Sequence, residues 1–119
     1  MKRVYIAGPY SCKARCGGVD LGYMRQGILI AIDVFFAGFA PFAPWLDYLY
    51  SLMSEREIPI EMFYEMGLAW LRASDAVLVL PYTEYHKGVV AEVEEAKRLG
   101  IPVFETITEL VQYRDDGMF

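Results

Sequence analysis

The chain has 119 residues, enough for one compact domain and too few for two ordinary ones. Its formal net charge of −5 argues against a general nucleic-acid-binding protein, because clustered Lys and Arg side chains hold phosphate backbones. Hydrophobic residues make up 55% of the chain, which predicts that a second subunit covers some apolar surface. We therefore expect a single domain over residues 1–119 that forms a homo-oligomer, a dimer or larger.

The cysteine content and the hydropathy indicate in which cellular environment the protein works. Cys12 and Cys16 accompany a single histidine, whereas a closed zinc site needs about four ligands, so we expect two reduced thiols rather than a metal or redox site. The apolar stretch GILIAIDVFFAGFAPFAPW contains Asp33 and is broken by Gly38 and Pro41, which argues against a membrane span. The start, MKRVYIAGPY, is typical of a buried strand and not of a signal peptide. We expect a cytoplasmic protein without metal or cofactor.

The first half of the chain predicts a strand, a helix and an edge strand. Residues 3–8, RVYIAG, are β-branched or aromatic and end at Gly-Pro, which predicts a first, central strand. After a loop, apolar residues lie nearly all round a helical wheel from Val19 to about Ala37, where Gly38 ends the helix. FAPFAP at 39–44 predicts a short edge strand, since proline cannot donate to a ladder. The aromatic segment that follows is expected near the mouth of a pocket.

The second half alternates helices and strands. Helical spacing predicts a helix over 60–74, and the continuous apolar run at 75–81 predicts an interior parallel strand. A helix over 88–99 precedes the strand IPVFE, and a final helix follows with Thr106 or Thr108 as its cap. The alternation predicts an α/β fold, a small doubly wound parallel sheet of four to five strands with helices on both faces.

In such folds a ligand lies beyond the carboxyl ends of the strands, where strand order reverses. Three loops are expected there, at residues 8–18, 41–47 and 81–88. The loop AGPYS matches neither the GxGxxG fingerprint nor a P-loop, so nothing indicates a dinucleotide or NTPase site.

Three glutamates in the helix 88–99 differ in their expected exposure. The apolar stripe of this helix consists of Val89, Val93, Ala96 and Gly100. At about 100° per residue, Glu92 lies roughly 80° from the centre of that stripe, Glu94 about 120° and Glu95 about 140°. Glu94 and Glu95 are expected to pair with Lys97 or Arg98 on a solvated face. Glu92 is expected to be half-buried and to lack a basic neighbour.

The position of Glu92 predicts a nucleophile or base, kept ionised by the helix N-terminus and polarised by partial burial. The alternative is a structural glutamate that favours the helix dipole. His86 and Lys87, just before the helix, are candidates to bind an anion together with its free N–H groups, or are surface loop charges.

Three stretches resemble the nucleoside 2-deoxyribosyltransferase-like superfamily, in the same order and over nearly the whole chain: VYIAGPYS, LAWLRASDAVLVLP and KGVVAEVEEAKRLGIPVF. The superfamily includes deoxyribosyltransferases and deoxynucleoside 5′-monophosphate N-glycosidases. The resemblance implies a small Rossmann-like domain with a catalytic glutamate four residues after a loop glycine, which Gly88 and Glu92 match. It implies that Glu92 attacks C1′ of the sugar, and that water or a second base resolves the covalent intermediate.

The resemblance also implies a set of substrate-binding residues. They are Gly8, Tyr10, Ser11, His86, Lys87 and Gly88. His86 stands where the monophosphate hydrolases have a phosphate-binding serine. Gly67 departs from the pattern, because relatives commonly carry an aspartate there that assists the leaving group. Glu65 or Asp47 would have to substitute for it.

We therefore expect hydrolysis or transfer of the N-glycosidic bond of a nucleoside or its 5′-monophosphate, with no nucleic-acid or membrane partner. The alternative is a catalytically impaired nucleotide-binding or sensing module of the same fold. A third is an oligomeric scaffold whose pocket is filled by side chains such as Trp45 or Tyr82. The tail YRDDGMF resembles the tails with which the transferases close a neighbouring subunit's site, or is a frayed terminus.

Overall fold

The computed structural model describes residues 1–10, 19–81 and 86–119, which form a four-stranded, all-parallel sheet covered by helices on both faces. The strands are β1 (Arg3–Ala7), β2 (Ala40–Phe42), β3 (Ala76–Val79) and β4 (Val103–Phe104). The helices are α1 (Leu21–Phe36), α2 (Asp47–Met53), α3 (Ile60–Arg72), α4 (Lys87–Arg98) and α5 (Ile107–Asp115), with a 3-10 turn at Pro44–Leu46. In the described ranges no helix has both the length and the apolar character needed to cross a membrane.

The strand order is β2-β1-β3-β4, so the predicted central strand, interior strand and edge strand are all confirmed. The edge strand β2 pairs only with β1, which explains how it tolerates Pro41. Thr106 caps α5, because its side-chain oxygen accepts a hydrogen bond from the backbone N–H of Glu109 at 3.1 Å. The aromatic segment after β2, expected only to lie near a pocket, forms the 3-10 turn and α2.

Side chains alternate across β1 and divide the core into two layers. Val4 and Ile6 pack with α1 and α5 on one face of the sheet. Tyr5 and Ala7 pack with α3 and α4 on the other face. A tyrosine hydroxyl is therefore carried into the layer that contains the helix with the three glutamates.

Trp45 ties the segment after β2 to the loop after β1. Its side chain is 1% exposed, and its indole N–H donates a 2.9 Å hydrogen bond to the carbonyl of Pro9. Two glycines make room for the ring: a Cβ on Gly27 would overlap it, and a Cβ on Gly8 would lie 2.9 Å from its Cζ2. Trp45 thus belongs to the hydrophobic core on this side of the sheet, while Tyr82 lies outside the described residues.

The C-terminal tail packs on its own chain. The ring of Phe119 lies 4.8 Å from that of Tyr113 and 6.2 Å from that of Phe39, which directly precedes β2. The Arg114 guanidinium also donates a 2.6 Å hydrogen bond to the carbonyl of Ala37. In this conformation the tail therefore lies at the amino ends of the strands, against Phe39 of its own chain.

The Gly27–Trp45 packing can be tested by substitution. We expect Gly27→Ala to lower the free energy of unfolding by about 1–3 kcal/mol, because the added methyl overpacks the core against the indole ring. The matched control is Gly88→Ala, also in a helix but with open space around the added methyl, which should stabilise by at most about 1 kcal/mol. Urea denaturation followed by circular dichroism measures both. Equal stability of the two variants would contradict the tight packing of Trp45 beneath α1.

Candidate active site

Glu92 and Tyr5 form the centre of the candidate site. Glu92 lies half-buried on the side of α4 that faces the sheet, as the helical wheel predicts. The Tyr5 hydroxyl lies beside the Glu92 carboxylate and acts on it as a hydrogen-bond donor, which brings the central strand together with α4. The second carboxylate oxygen, Oε2, is buried and has no hydrogen-bond partner in the described part of the chain. The carboxyl group therefore carries one buried oxygen that no described residue satisfies.

Gly67 makes room for this hydrogen bond. Gly67 is buried in α3, and a Cβ built on it would lie 3.2 Å from the Tyr5 hydroxyl oxygen. Any side chain at position 67 would therefore press on the hydroxyl. The ring of Tyr5 is also held from the side, because it stacks on Phe42 at 5.6 Å, and Phe42 stacks on Trp70 at 5.4 Å. From the sequence, Gly67 is only the loss of an aspartate. In the structure, its lack of a side chain leaves space for the Tyr5 hydroxyl beside Glu92.

Burial controls the acidity of Glu92. Removal from water raises its pKa from 4.5 to about 7, and the hydrogen bond from Tyr5 offsets only part of that rise. Burial, and not the helix N-terminus, has the largest effect on this pKa. Glu92 is the sixth residue of α4, and the dipole effect falls off within the first turn. The Tyr5 pKa is raised as well, by burial and by the charge of Glu92, so the phenol stays a hydrogen-bond donor.

Glu94 and Glu95 behave differently from one another. Glu95 accepts hydrogen bonds from Arg98 at 2.7 Å and from Arg72 of α3 at 3.1 Å, and these bonds lower its pKa to about 2. The pairing of Glu95 with Arg98 is confirmed, and the bond to Arg72 is an addition that helical spacing cannot show. The expected pairing of Glu94 is wrong: Glu94 is exposed and makes no ion pair with any described residue, because Glu95 engages Arg98.

Asp47 is a second buried carboxyl group at this edge of the sheet. It begins α2 directly after the 3-10 turn, and its side chain is 8% exposed. It makes no side-chain hydrogen bond or ion pair with any residue the structure describes, and burial raises its pKa to about 6. Its charge contributes to the raised pKa values of both Tyr5 and Tyr10, so it lies near both phenols. Glu65, the other substitute considered, is exposed on α3.

The substrate-binding residues suggested by resemblance are only partly brought together. Gly8 is half-buried because Leu80 and Trp45 pack against it, and Tyr10 is half-buried in the same loop. His86 is the N-cap residue of α4, makes no capping hydrogen bond, and packs edge-on against Tyr23 of α1 at 5.7 Å. Lys87 and Gly88 are exposed in the first turn. Ser11 lies outside the described residues.

Sequence reasoning missed Tyr5, although a signal for it exists. A tyrosine in the middle of a buried strand needs a partner for its hydroxyl, and a half-buried glutamate without a basic neighbour is a natural acceptor. No group of three His, Cys, Asp or Glu side chains in residues 1–10, 19–81 and 86–119 is arranged to hold a metal ion. The described site therefore consists of carboxyl and phenol groups.

The all-parallel sheet and its strand order define the class of the protein. It is a small α/β domain with the fold of the deoxyribosyltransferases. One solved structure of that fold is the 2-deoxyribosyltransferase of the psychrotolerant bacterium Bacillus psychrosaccharolyticus, with a TM-score of 0.57 and 17% sequence identity. The match covers 85% of this chain and 69% of that chain, and at this identity it shows the fold alone. The chain itself belongs to the family described as "Domain of unknown function (DUF7768)", which matches residues 2–106. No curated protein matches the sequence significantly.

The raised pKa of Glu92 predicts how stability depends on pH. A carboxyl group whose pKa is higher in the folded than in the unfolded state stabilises the fold at low pH, and that contribution disappears as pH rises through about 7. Between pH 5 and pH 8 the wild-type protein should lose about 2–3 kcal/mol of unfolding free energy that the Glu92→Gln variant does not lose.

Urea denaturation at a series of pH values measures this difference. The control is Glu94→Gln, which removes an exposed glutamate two residues away and should keep the pH slope of the wild type. Asp47 contributes equally to all three proteins and cancels in the comparison. Parallel pH profiles for wild type and Glu92→Gln would contradict a buried, weakly acidic Glu92.

Proposed function

We propose that this protein hydrolyses or transfers the N-glycosidic bond of a nucleoside or its 5′-monophosphate, with Glu92 as the nucleophile. One observation carries the proposal: the Glu92 carboxyl group is buried beside the Tyr5 hydroxyl of the central strand, and its Oε2 has no hydrogen-bond partner among the described residues. A desolvated oxygen without a hydrogen bond is less stable and more reactive than a hydrated one. The deoxyribosyltransferase fold and the sequence resemblance agree with this chemistry.

The proposed reaction has two steps. Oε2 of Glu92 attacks C1′ of the sugar, a glycosyl ester forms, and the bond to the base nitrogen breaks with its electron pair on the base. Water or a second base then attacks C1′ and releases the Glu92 carboxylate. The Tyr5 hydroxyl fixes the orientation of the carboxylate and disperses its charge before the first step and after the second.

Residues at the start of α4 are proposed to bind the substrate's 5′ end. The first N–H groups of a helix favour an anion, and Lys87 adds a positive charge beside them. Gly88 leaves the space above this turn open, since a Cβ on it would meet no atom within 4 Å. Tyr10, Gly8, His86 and Ser11 complete the proposed set.

We also propose that the protein forms a homo-oligomer. Helices α1 and α3 expose large apolar side chains, which a second copy of the chain would cover. They include Leu29, Ile32, Phe35, Phe36, Met62 and Trp70.

The alternative function is a nucleotide-binding or sensing module without turnover. Gly67 favours it, because position 67 supplies no acid to the leaving base and the nearby Tyr5 hydroxyl is already bonded to Glu92. This alternative predicts nucleotide binding without release of base.

The proposal is tested by incubating the protein with a panel of nucleosides and 5′-monophosphates. Chromatography measures the free base that is released. We expect the wild type to cleave at least one member, and Glu92→Ala to lose about 10³-fold or more of that activity because the covalent step is removed. Glu94→Ala, the matched control on the same helix, should retain full activity.

The same panel separates the two functions. Release of base by wild type and Glu92→Ala at equal rates would disprove the role of Glu92. Calorimetric binding of a nucleotide without any release by the wild type would support the sensing module instead.

The Tyr5→Phe variant tests the hydrogen bond that holds the nucleophile. This bond lowers the pKa of Glu92, so its loss should move the ascending limb of the pH profile of kcat/KM upward by about 0.5–1 pH unit. The rate above that limb should fall as well, because the carboxylate loses its orientation. A pH–rate profile measures both effects, and an unshifted limb would show that Tyr5 does not contact the working carboxylate.

A further inference from the structure

A base that already carries a positive charge needs no proton in order to leave. A neutral nucleobase departs as an anion unless an acid protonates it, whereas a cationic ring nitrogen becomes neutral when it takes the electron pair of the glycosidic bond. Gly67 offers no acidic side chain, and the Tyr5 hydroxyl acts as a donor to Glu92. These two positions therefore suit a leaving group that is activated before it binds.

Asp47 is a buried carboxyl group without a counter-charge. Its side chain is 8% exposed, and no lysine, arginine or histidine among the described residues pairs with it. Burial raises its pKa only to about 6, so most of the group is ionised at pH 7. A buried carboxylate without a partner costs free energy, and a bound cation would remove that cost.

Phenol rings lie around this carboxylate. The charge of Asp47 contributes to the raised pKa of Tyr10, and so does Tyr48, which places the three side chains near one another. The indole bond from Trp45 to the carbonyl of Pro9 holds the start of α2 against the loop that carries Tyr10. The faces of phenol rings attract cations, and a carboxylate beside them adds a full negative charge. This combination suits a flat organic cation.

The carboxyl groups of Asp47 and Glu92 belong to one site. Asp47 follows β2, whereas Glu92 lies on the helix that follows β3, and β1 runs between these two strands. The charges of both groups raise the pKa of the same phenol, Tyr5 of β1. The two carboxyl groups therefore flank the central strand, close enough for one ligand to contact both.

We propose that the substrate is an N-glycoside with a cationic base, in which Asp47 supplies the counter-charge to the base while Glu92 attacks C1′. The inference rests on the proposed function and names its substrate class. Two kinds of base have this chemistry: a pyridinium ring, as in nicotinamide nucleosides, and a purine alkylated at N7. Both are flat cations that become neutral on leaving, and the rings of Tyr10 and Tyr48 flank them.

A cationic base also activates the nucleophile. Burial raises the pKa of Glu92 to about 7, so about half of the group is protonated at neutral pH. A positive charge bound beside it lowers that pKa and favours the ionised form that attacks. The attack then removes the charges of carboxylate and base together, which a site with little water favours. A neutral nucleoside supplies neither effect.

The reaction balances with water as the second reactant. Oε2 of Glu92 forms a bond to C1′, the C1′–N bond breaks, and its electron pair neutralises the ring nitrogen. Water then adds to C1′, Glu92 leaves with the electron pair of the ester bond, and the proton of the water passes to solvent. The products are a free sugar, a neutral base and one proton. Asp47 stays ionised throughout.

The alternative for Asp47 is structural. An acidic residue in the first turn of α2 interacts favourably with the helix dipole, and α2 has no side-chain cap. A structural role predicts that cationic and neutral ligands are treated alike, before and after substitution of Asp47. A role as counter-charge predicts a difference that depends on Asp47.

Binding tests the counter-charge without requiring turnover. Calorimetry compares N-methylnicotinamide, a pyridinium cation, with neutral nicotinamide, which has nearly the same size and shape. We expect the wild type to bind the cation at least about tenfold more tightly, and Asp47→Asn to bind the two compounds with similar affinity. The control Asp33→Asn, an exposed aspartate on α1, should keep the wild-type ratio.

Circular dichroism checks that Asp47→Asn folds, and the comparison within the wild type does not depend on any variant. Equal affinity of the wild type for the two compounds, or binding of neither, would overturn the cation site. An unchanged ratio in folded Asp47→Asn would show that Asp47 is not the counter-charge.

Turnover tests the substrate class with nicotinamide riboside, 7-methyl-2′-deoxyguanosine and neutral 2′-deoxyguanosine, each corrected for spontaneous release of base. We expect release from at least one cationic substrate, and the substrate that is cleaved identifies the kind of base. On that substrate Asp47→Asn should lower kcat/KM by about tenfold or more, and Glu92→Ala should lower it by about 10³-fold or more.

The outcomes separate this inference from the proposed function. Faster release from 2′-deoxyguanosine than from both cationic substrates would overturn the substrate class and leave the glycosidic function intact. Binding of the N-methylnicotinamide cation without release of base from any nucleoside or 5′-monophosphate would overturn the proposed function, and with it the substrate class, while the cation site itself would stand.

Discussion

The hydrogen bond from Tyr5 to Glu92 is the constraint on which the site depends. It joins the central strand to a helix that the chain reaches only after a further 80 residues, and it needs three things at once. Tyr5 must point into the layer of α3 and α4, Glu92 must face the sheet, and Gly67 must lack a side chain. The stacked rings of Phe42 and Trp70 hold the phenol in place from the side. A carboxyl group held between a helix and a central strand keeps its orientation better than one on a loop.

Environment, rather than residue type, assigns roles to the acidic side chains. Glu92 and Glu95 lie three positions apart on one helix, yet burial raises one pKa to about 7 and two arginines lower the other to about 2. The bond from Arg72 to Glu95 also joins α3 to α4 and limits rotation of the helix that carries Glu92. The ion pair between Arg72 and Glu95 thus helps to keep the Glu92 side chain in its orientation.

Much of the fold follows from sequence, because its signals are local. The prolines of β2 predict its edge position, and the apolar runs of β1 and β3 predict their interior positions. The helical wheel predicts which of the three glutamates is half-buried beside the sheet. Features set by contacts between distant segments were not predictable in the same way. Three features depend on how the strands and helices pack together: the interaction of Tyr5 with Glu92, the burial of Asp47, and the ion pair between Arg72 and Glu95. The raised pKa of Glu92 belongs to the same group, because desolvation is a tertiary effect that a helical wheel does not show.

The two buried carboxyl groups belong to parts of the structure with different expected dynamics. Glu92 lies beside Tyr5 of β1, which pairs with strands on both sides, and central strands of this kind are generally among the last segments to open. Asp47 starts a seven-residue helix that exposes most of its side chains and carries no side-chain cap. Such an element opens locally at a small cost while the sheet stays intact. The segment that carries Asp47 can therefore open while the sheet beside Glu92 keeps its geometry.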